Sequence, residues 1–236
     1  MNKLNKNYIS IVIPVYNEHK NIELLTNKLI YNLKNFTYEI IFVDDNSLDG
    51  SHKILNNLKK KYKFFRPIIR KKKKDLTQSC FEGIKKSRFN NIIIMDGDLQ
   101  HDPKFIRKMY NKLKKKNYDI VVGSRNFKSN DLGLSKLRKI SSQIIIKFFS
   151  IFKFPLCDPM SGFFIFQKKI YIKNKSFYFG KGFKILMDIM LNSKDKLNVS
   201  EIKIKFKHRR NNKSKMNYKI LIYIILLYLT NWKKLF

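Results

Sequence analysis

From Ile9 to Gly123 short β-branched runs alternate with longer stretches whose apolar residues recur at helical spacing, and no other feature restricts the fold as strongly. Strands are expected at Ile9–Val15, Tyr38–Val43, Arg66–Arg70, Asn91–Met95 and Asp119–Gly123. Helices are expected between them at Asn21–Leu33, Asp49–Lys61 and Leu76–Ser87, with a fourth opening at Pro103, where proline suits a first turn. The connections are too long for hairpins. The pattern therefore calls for an α/β fold, Rossmann-like, with a mostly parallel sheet, flanking helices and right-handed crossovers.

Three of these strands stop at acidic turns: Glu18 after the first, Asp44 and Asp45 after the second, and Asp96 and Asp98 after the fourth. The carboxyl ends of parallel strands share one edge, and ligands of open α/β sheets bind outside that edge. Asp96 and Asp98 repel one another unless a cation neutralises them. Hard oxygen donors suit Mg2+ or Mn2+, which such sites often share with substrate phosphates. A metal-bridged diphosphate is the chemistry this arrangement suggests, although a lone Asp-Gly-Asp is equally a solvated turn. No GxGxxG follows the first strand and no GxxxxGK[ST] occurs, which disfavours dinucleotide dehydrogenases and P-loop NTPases.

The 236 residues suffice for one large domain. The formal charge of +34 favours anionic partners, namely nucleotides, nucleic acid or an anionic membrane, while compositional drift explains runs such as Lys71–Lys74 and Lys114–Lys116 equally well. Cys80 and Cys157 form no CxxC pair and read as small, partly buried apolar residues in a reducing compartment. His19, His52, His101 and His208 read as surface residues. No signal peptide is visible, because Met1–Tyr8 is polar and Pro14 interrupts the apolar run that follows.

Beyond residue 125 the character changes. Ser135–Phe154 is basic, apolar and free of acidic residues, and reads either as an amphipathic helix on a membrane or as a core helix with snorkelling lysines. Asp158–Gly162 is a turn leading into a strand at Phe163–Gln167; Gly182–Leu191 is a helix and Glu201–Phe206 a half-buried strand. The apolar run Ile220–Leu229 is shorter than the roughly 20 residues a bilayer span needs, so it reads as an interfacial or docked terminal helix, with Trp232, Lys233 and Lys234 suited to a headgroup boundary.

Several of these segments carry a family resemblance. They are Ile13-Pro14-Val15-Tyr16-Asn17-Glu18, Val43-Asp44-Asp45-Asn46-Ser47, Asp96-Gly97-Asp98-Leu99-Gln100-His101-Asp102-Pro103, Gly123-Ser124-Arg125, Asp158-Pro159-Met160-Ser161-Gly162-Phe163 and Gly182-Phe183-Lys184-Ile185-Leu186-Met187. With them the chain resembles family 2 glycosyltransferases of GT-A fold, and within those the dolichyl-phosphate (polyprenyl-phosphate) mannosyltransferase group. A GT-A catalytic domain is expected over residues 1–215, followed by an apolar, basic C-terminal helix over 216–236 that is membrane-interfacial or docked. The resemblance places Pro14, Tyr16, Glu18, Val43 and Asp45 around the nucleotide, Asp96 and Gly97 near ribose and donor sugar, and Asp98 and Gln100 on a Mg2+ or Mn2+ ion. It assigns Arg125, Arg138 and Ser142 to the acceptor phosphate or donor diphosphate, and closes Arg209 and Lys215 over the donor; the catalytic set is Asp96, Asp98, Arg125 and Arg209. Two departures stand out: Lys74-Asp75-Leu76 where the family often has Lys-Gly-Leu, and Gly97 where Ala is frequent.

The implied reaction moves a hexose, foremost mannose from GDP-mannose, onto dolichyl or polyprenyl phosphate with inversion. The lipid phosphate is already anionic and needs no strong general base. Its setting would be peripheral, on the cytoplasmic face of a membrane, with room for a membrane-anchoring subunit and no nucleic acid expected. Three other readings compete: UDP-glucose or another nucleotide sugar with undecaprenyl phosphate, a non-enzymatic basic module binding nucleic acid, and a catalytically dead membrane scaffold.

Overall fold

A computed structural model of the chain describes residues 7–125, 156–182 and 185–205. Arg138, Ser142, Arg209 and Lys215 lie outside the described residues, as do His208, the Ser135–Phe154 stretch, the Ile220–Leu229 run and the boundary at 215/216.

The strand–helix alternation folds as expected. The elements are β1 (Tyr8–Val15), α1 (His19–Asn32), β2 (Thr37–Asp44), α2 (Ser51–Lys61), β3 (Ile68–Ile69), α3 (Leu76–Lys86) and β4 (Asn91–Ile94). A 3-10 turn at Pro103–Phe105 then leads into α4 (Ile106–Lys115), followed by β5 (Ile120–Arg125), β6 (Phe164–Gln167), α5 (Lys168–Asn174), α6 (Ile185–Asn192) and β7 (Val199–Ile204). The sheet order is β3-β2-β1-β4-β6-β5-β7. Every pairing is parallel except the two that β6 makes with β4 and β5. This is the GT-A arrangement.

Two apolar layers cover the sheet. Ile9, Ile11 and Ile13 of β1 face α1, α2 and α4, whereas Val12, Ile41 and Val43 face α3 and α6. The period-2 alternation of a strand accounts for this split. Helices α1 and α2 thus cover one face and α3 crosses to the other, so the winding reverses between β1 and β4. Ligands bind at such switch points.

Some boundaries differ from expectation. β3 is shorter than expected and pairs as Val43↔Ile68 and Asp44↔Ile69, although the Arg66 N–H still donates to the Ile40 carbonyl and the Arg70 N–H to the Asp44 carbonyl, each at 2.8 Å. α2 begins at Ser51 rather than Asp49: Gly50 takes a φ of +87°, and Asp49 accepts the Ser51 N–H at 3.1 Å. α5 was not anticipated from the apolar pattern, and β7 begins two residues earlier than the alternation suggests. Two expectations about single residues are overturned. His101 is buried, held against Phe163 in the core, rather than on the surface. Cys157 is exposed, on the turn that precedes Asp158. Cys80 is buried as expected.

Candidate active site

The carboxyl ends of β1, β2, β3, β4, β5 and β7 lie on one edge of the sheet, and the start of antiparallel β6 brings the Asp158–Gly162 turn to the same edge. Pro14 opens this rim. Strand residues face their two neighbours alternately. The Val12 carbonyl accepts the Met95 N–H at 3.1 Å, toward β4, and the Val15 carbonyl accepts the Asp45 N–H at 2.9 Å, toward β2. Pro14 therefore faces β4 and has no N–H to donate. Pairing of β1 with β4 ends at Val12↔Ile94, and the chain leaves the sheet through Met95 and Asp96.

Gly97 returns against β1. A Cβ there would lie 2.6 Å from Val15 Cγ1, so the close approach needs a glycine. Asp98 and Leu99 are buried, and Leu99 holds a left-handed φ of 66°. The Asp98 carboxylate accepts the Gln100 N–H at 3.1 Å, which folds the turn around these two side chains. Held left-handed backbone of this kind concentrates at functional sites.

His101 supports the turn from beneath. Its ring stacks on Phe163 at 5.2 Å, and the Asp96 N–H points at its Nδ1 at 3.4 Å. Burial pushes its pKa down to about 4, with Asp98 and Asp158 opposing and Arg125 reinforcing the shift. It is neutral at physiological pH and acts as a fixed acceptor rather than a proton carrier.

The Asp158–Gly162 turn meets the acidic turn directly. A Cβ on Gly162 would lie 2.5 to 2.8 Å from the atoms of the Asp96 carboxyl group, so that group rests on the bare Cα. Ser161 Oγ donates to the Gly123 carbonyl at 2.7 Å, tying the turn to β5. Arg125 forks onto buried Asp158, with Nε–Oδ2 at 2.7 Å and Nη2–Oδ1 at 2.8 Å. Burial opposes the guanidinium charge, but Asp158 and then Asp96 outweigh it and raise the Arg125 pKa. Asp96, Asp98, His101, Arg125 and Asp158 thus form one electrostatic cluster.

The nucleotide-side candidates divide by burial. Tyr16 is half-buried, and Lys74 Nζ lies 3.3 Å from its ring centroid. Glu18 is buried, precedes α1 and accepts the Asn21 amide at 2.6 Å. Pro14 and Val43 pair across β1–β2, and the Val43 side chain lies in the core against Gly83. Asp45 is buried on Arg70 and accepts the Asp75 N–H at 2.7 Å; burial raises its pKa, and Arg70 and that hydrogen bond pull it back. Its carboxylate fixes the loop between β3 and α3.

Asp75, the departure from the family pattern, caps α3 by accepting the Gln78 N–H at 3.0 Å, and its other oxygen accepts the Gly182 N–H at 2.8 Å. Thr77 Oγ1 also donates to the Gly182 carbonyl at 2.9 Å. Asp188 of α6 accepts the Phe179 and Gly180 N–H groups at 2.8 and 2.7 Å, so the segment ending at Gly182 is held from both sides. His101, Asp158, Gly162, Arg70 and Asp75 were not among the sequence candidates. The first three lie inside the quoted motifs and Asp75 stands out only as a departure from the family pattern, whereas Arg70 carries no local signal.

Among the described residues no group of three His, Cys, Asp or Glu side chains could hold a metal ion by itself. Asp98 and Gln100 offer a carboxylate and an amide oxygen from one tight turn. That donor set suits a hard cation completed by water and substrate phosphates. A nucleoside diphosphate at this rim would meet oxygen donors, a forked arginine and the Lys74 ammonium.

The glycosyl transferase family 2 model matches residues 10–175. The chain is 33% identical over 215 residues to a dolichol-phosphate mannosyltransferase of Pyrococcus furiosus, covering 89% of this chain and 60% of that protein. It is 29% identical over 225 residues to a dolichol-phosphate mannosyltransferase of Saccharomyces cerevisiae, covering 90% of this chain and 82% of the relative. The chain therefore spans well under two thirds of the length of the archaeal relative. In fold it is similar to glucosyl-3-phosphoglycerate synthase from Mycobacterium tuberculosis, crystallised with Mn2+, UDP and glucosyl-3-phosphoglycerate, with a TM-score of 0.74, 14% identity, and coverage of 97% of this chain and 81% of that one. With the motifs of its matched region gathered on one rim of a GT-A sheet, the chain belongs to glycosyl transferase family 2.

Proposed function

We propose that the chain is an inverting glycosyltransferase that moves a hexose, foremost mannose from GDP-mannose, onto dolichyl or polyprenyl phosphate at a membrane surface. The observation that carries this reading is the contact of the Asp96 carboxylate with Gly162, which joins the acidic turn after β4 to the turn holding Arg125. Donor-side carboxylates and an acceptor-side arginine then share one site. The relatives named dolichol-phosphate mannosyltransferase support the acceptor class.

Asp98 and Gln100 would hold the divalent cation, Mg2+ or Mn2+, and the crystallised fold neighbour binds Mn2+. Such a cation neutralises charge on a departing nucleoside diphosphate. Tyr16 and Glu18 flank the nucleotide, and the Pro14–Val43 pairing forms its floor. Asp96 orients the donor sugar. Arg125, whose Nε and Nη2 are held by Asp158, would offer its remaining N–H groups and its charge to the lipid phosphate near the anomeric carbon. The lipid phosphate attacks that carbon as the bond to the nucleoside diphosphate breaks, inverting the centre. Arg138, Ser142, Arg209 and Lys215 complete the phosphate-binding side by resemblance.

The test incubates purified protein with polyprenyl phosphate, Mg2+ or Mn2+, and a panel of labelled nucleotide sugars. Label should enter the organic phase from GDP-mannose and fall at least a hundredfold in D98N. Transfer from UDP-glucose alone would reassign the donor, and no transfer from any donor would sink the reading.

A further inference from the structure

Two basic runs look alike in the sequence, Lys71–Lys74 and Lys114–Lys116, and the fold sends them to opposite edges of the sheet. Lys71–Lys74 follows β3, whose end pairs with Asp44, and leads into the start of α3. It therefore stands on the rim that carries Asp96 and Asp98. Lys114–Lys116 closes α4 and leads into the start of β5, on the far edge. Lys59–Lys61 at the end of α2 lies on the far edge as well. All of these lysines are exposed.

The rim loop is also held in place. Buried Arg70 anchors one end through Asp45 and the Asp75 carbonyl, and Asp75 anchors the other through Gln78 and Gly182. Lys74 is already engaged with Tyr16, and Lys71, Lys72 and Lys73 are exposed beside the site on a loop whose two ends are anchored.

We propose that Lys71, Lys72 and Lys73 dock this rim on an anionic lipid bilayer, so that the site faces the leaflet from which a lipid-linked phosphate arrives. The inference rests on the lipid-phosphate reading of the site. A bilayer can meet one edge of the sheet at a time, and only the site edge gives an acceptor a short path. Lysines at an anionic surface each strengthen partitioning about fivefold, and the effect fades within a Debye length. Position, not number, then decides which run contributes.

The experiment compares the full chain with two variants of equal charge, K71Q/K72Q/K73Q and K114Q/K115Q/K116Q. Partitioning is measured by co-sedimentation with phosphatidylcholine vesicles containing phosphatidylserine, at physiological ionic strength. The rim variant should bind about a hundredfold more weakly, and the far-edge variant should stay within about threefold of the parent. Equal losses in the two variants, a greater loss at the far edge, or no binding by the parent would each overturn the docking surface. A rim variant that keeps its vesicle binding but loses binding to single-stranded RNA would overturn it in favour of a nucleic-acid surface. Transfer in detergent micelles, run on the same preparations, separates the two ideas. Absent transfer by the parent sinks the reading of the site; equal transfer by all three proteins, with unequal vesicle binding, upholds both.

Discussion

Two glycines set the geometry of the site because side chains occupy the space a Cβ would need. G162A pushes a methyl into the Asp96 carboxylate, which is partly exposed and can swing aside. Transfer should fall about a hundredfold, since small misplacements of a reacting geometry cost that much, while the melting temperature scarcely moves. Initial rates and thermal melts on one preparation check both halves. G97A differs, because its methyl meets Val15 in the core, 3% exposed. It should destabilise by about 1–3 kcal/mol, and V15A should recover part of that in a double-mutant cycle read by urea unfolding. His101 yields a pH prediction. Its folded pKa of about 4 lies below the ordinary 6.5, so the unfolded chain binds the extra proton first as pH falls. The His101 contribution to the stability of the metal-free protein should be intact above about pH 6.5, be lost progressively between about 6.5 and 4, and change no further below. H101F keeps a stacking ring and should lose this part of the slope in chelator-treated urea titrations.

At the scale of elements, the start of α3 joins three parts of the rim. Asp75 caps its own helix, donates to Asp45 and receives Gly182, so one residue links the ends of β2 and α3 to the segment before α6. D75A should cost about 2 kcal/mol: about 1 for the cap and a similar amount for the Gly182 hydrogen bond. Amide exchange should speed up in the first turn of α3 and across residues 180–182, but not in β1 or β4. Uniform faster exchange would mean that Asp75 supports the whole fold rather than this junction. The sequence marks Asp75 as a departure without indicating that it bridges segments more than a hundred residues apart. Hydrogen bonds between loops have no periodicity to betray them.

For the whole molecule, the two apolar layers close without help from the rim. Core residues such as Ile11, Phe42, Ile93 and Phe164 are fully or almost fully buried away from the acidic turns. Chelation with EDTA should therefore abolish transfer yet shift the melting temperature by less than about 2 °C, because an ion that binds weakly without its diphosphate adds little stability by mass action. Added Mn2+ should restore transfer. A large loss of stability on chelation would show instead that the metal is part of the fold.

The sequence by itself determined the strand–helix alternation, the mostly parallel sheet and the three acidic turns on one edge. Each is a local or periodic property, and a strand's alternation and its terminating turn are written in consecutive residues. Tertiary structure alone decided that His101 is buried, that Arg125 is paired with Asp158, that Asp96 rests on Gly162, and that one lysine run stands beside the site while its twin lies across the sheet. Those facts depend on which distant segments the sheet order makes neighbours, and adjacency in space leaves no mark in the order of residues.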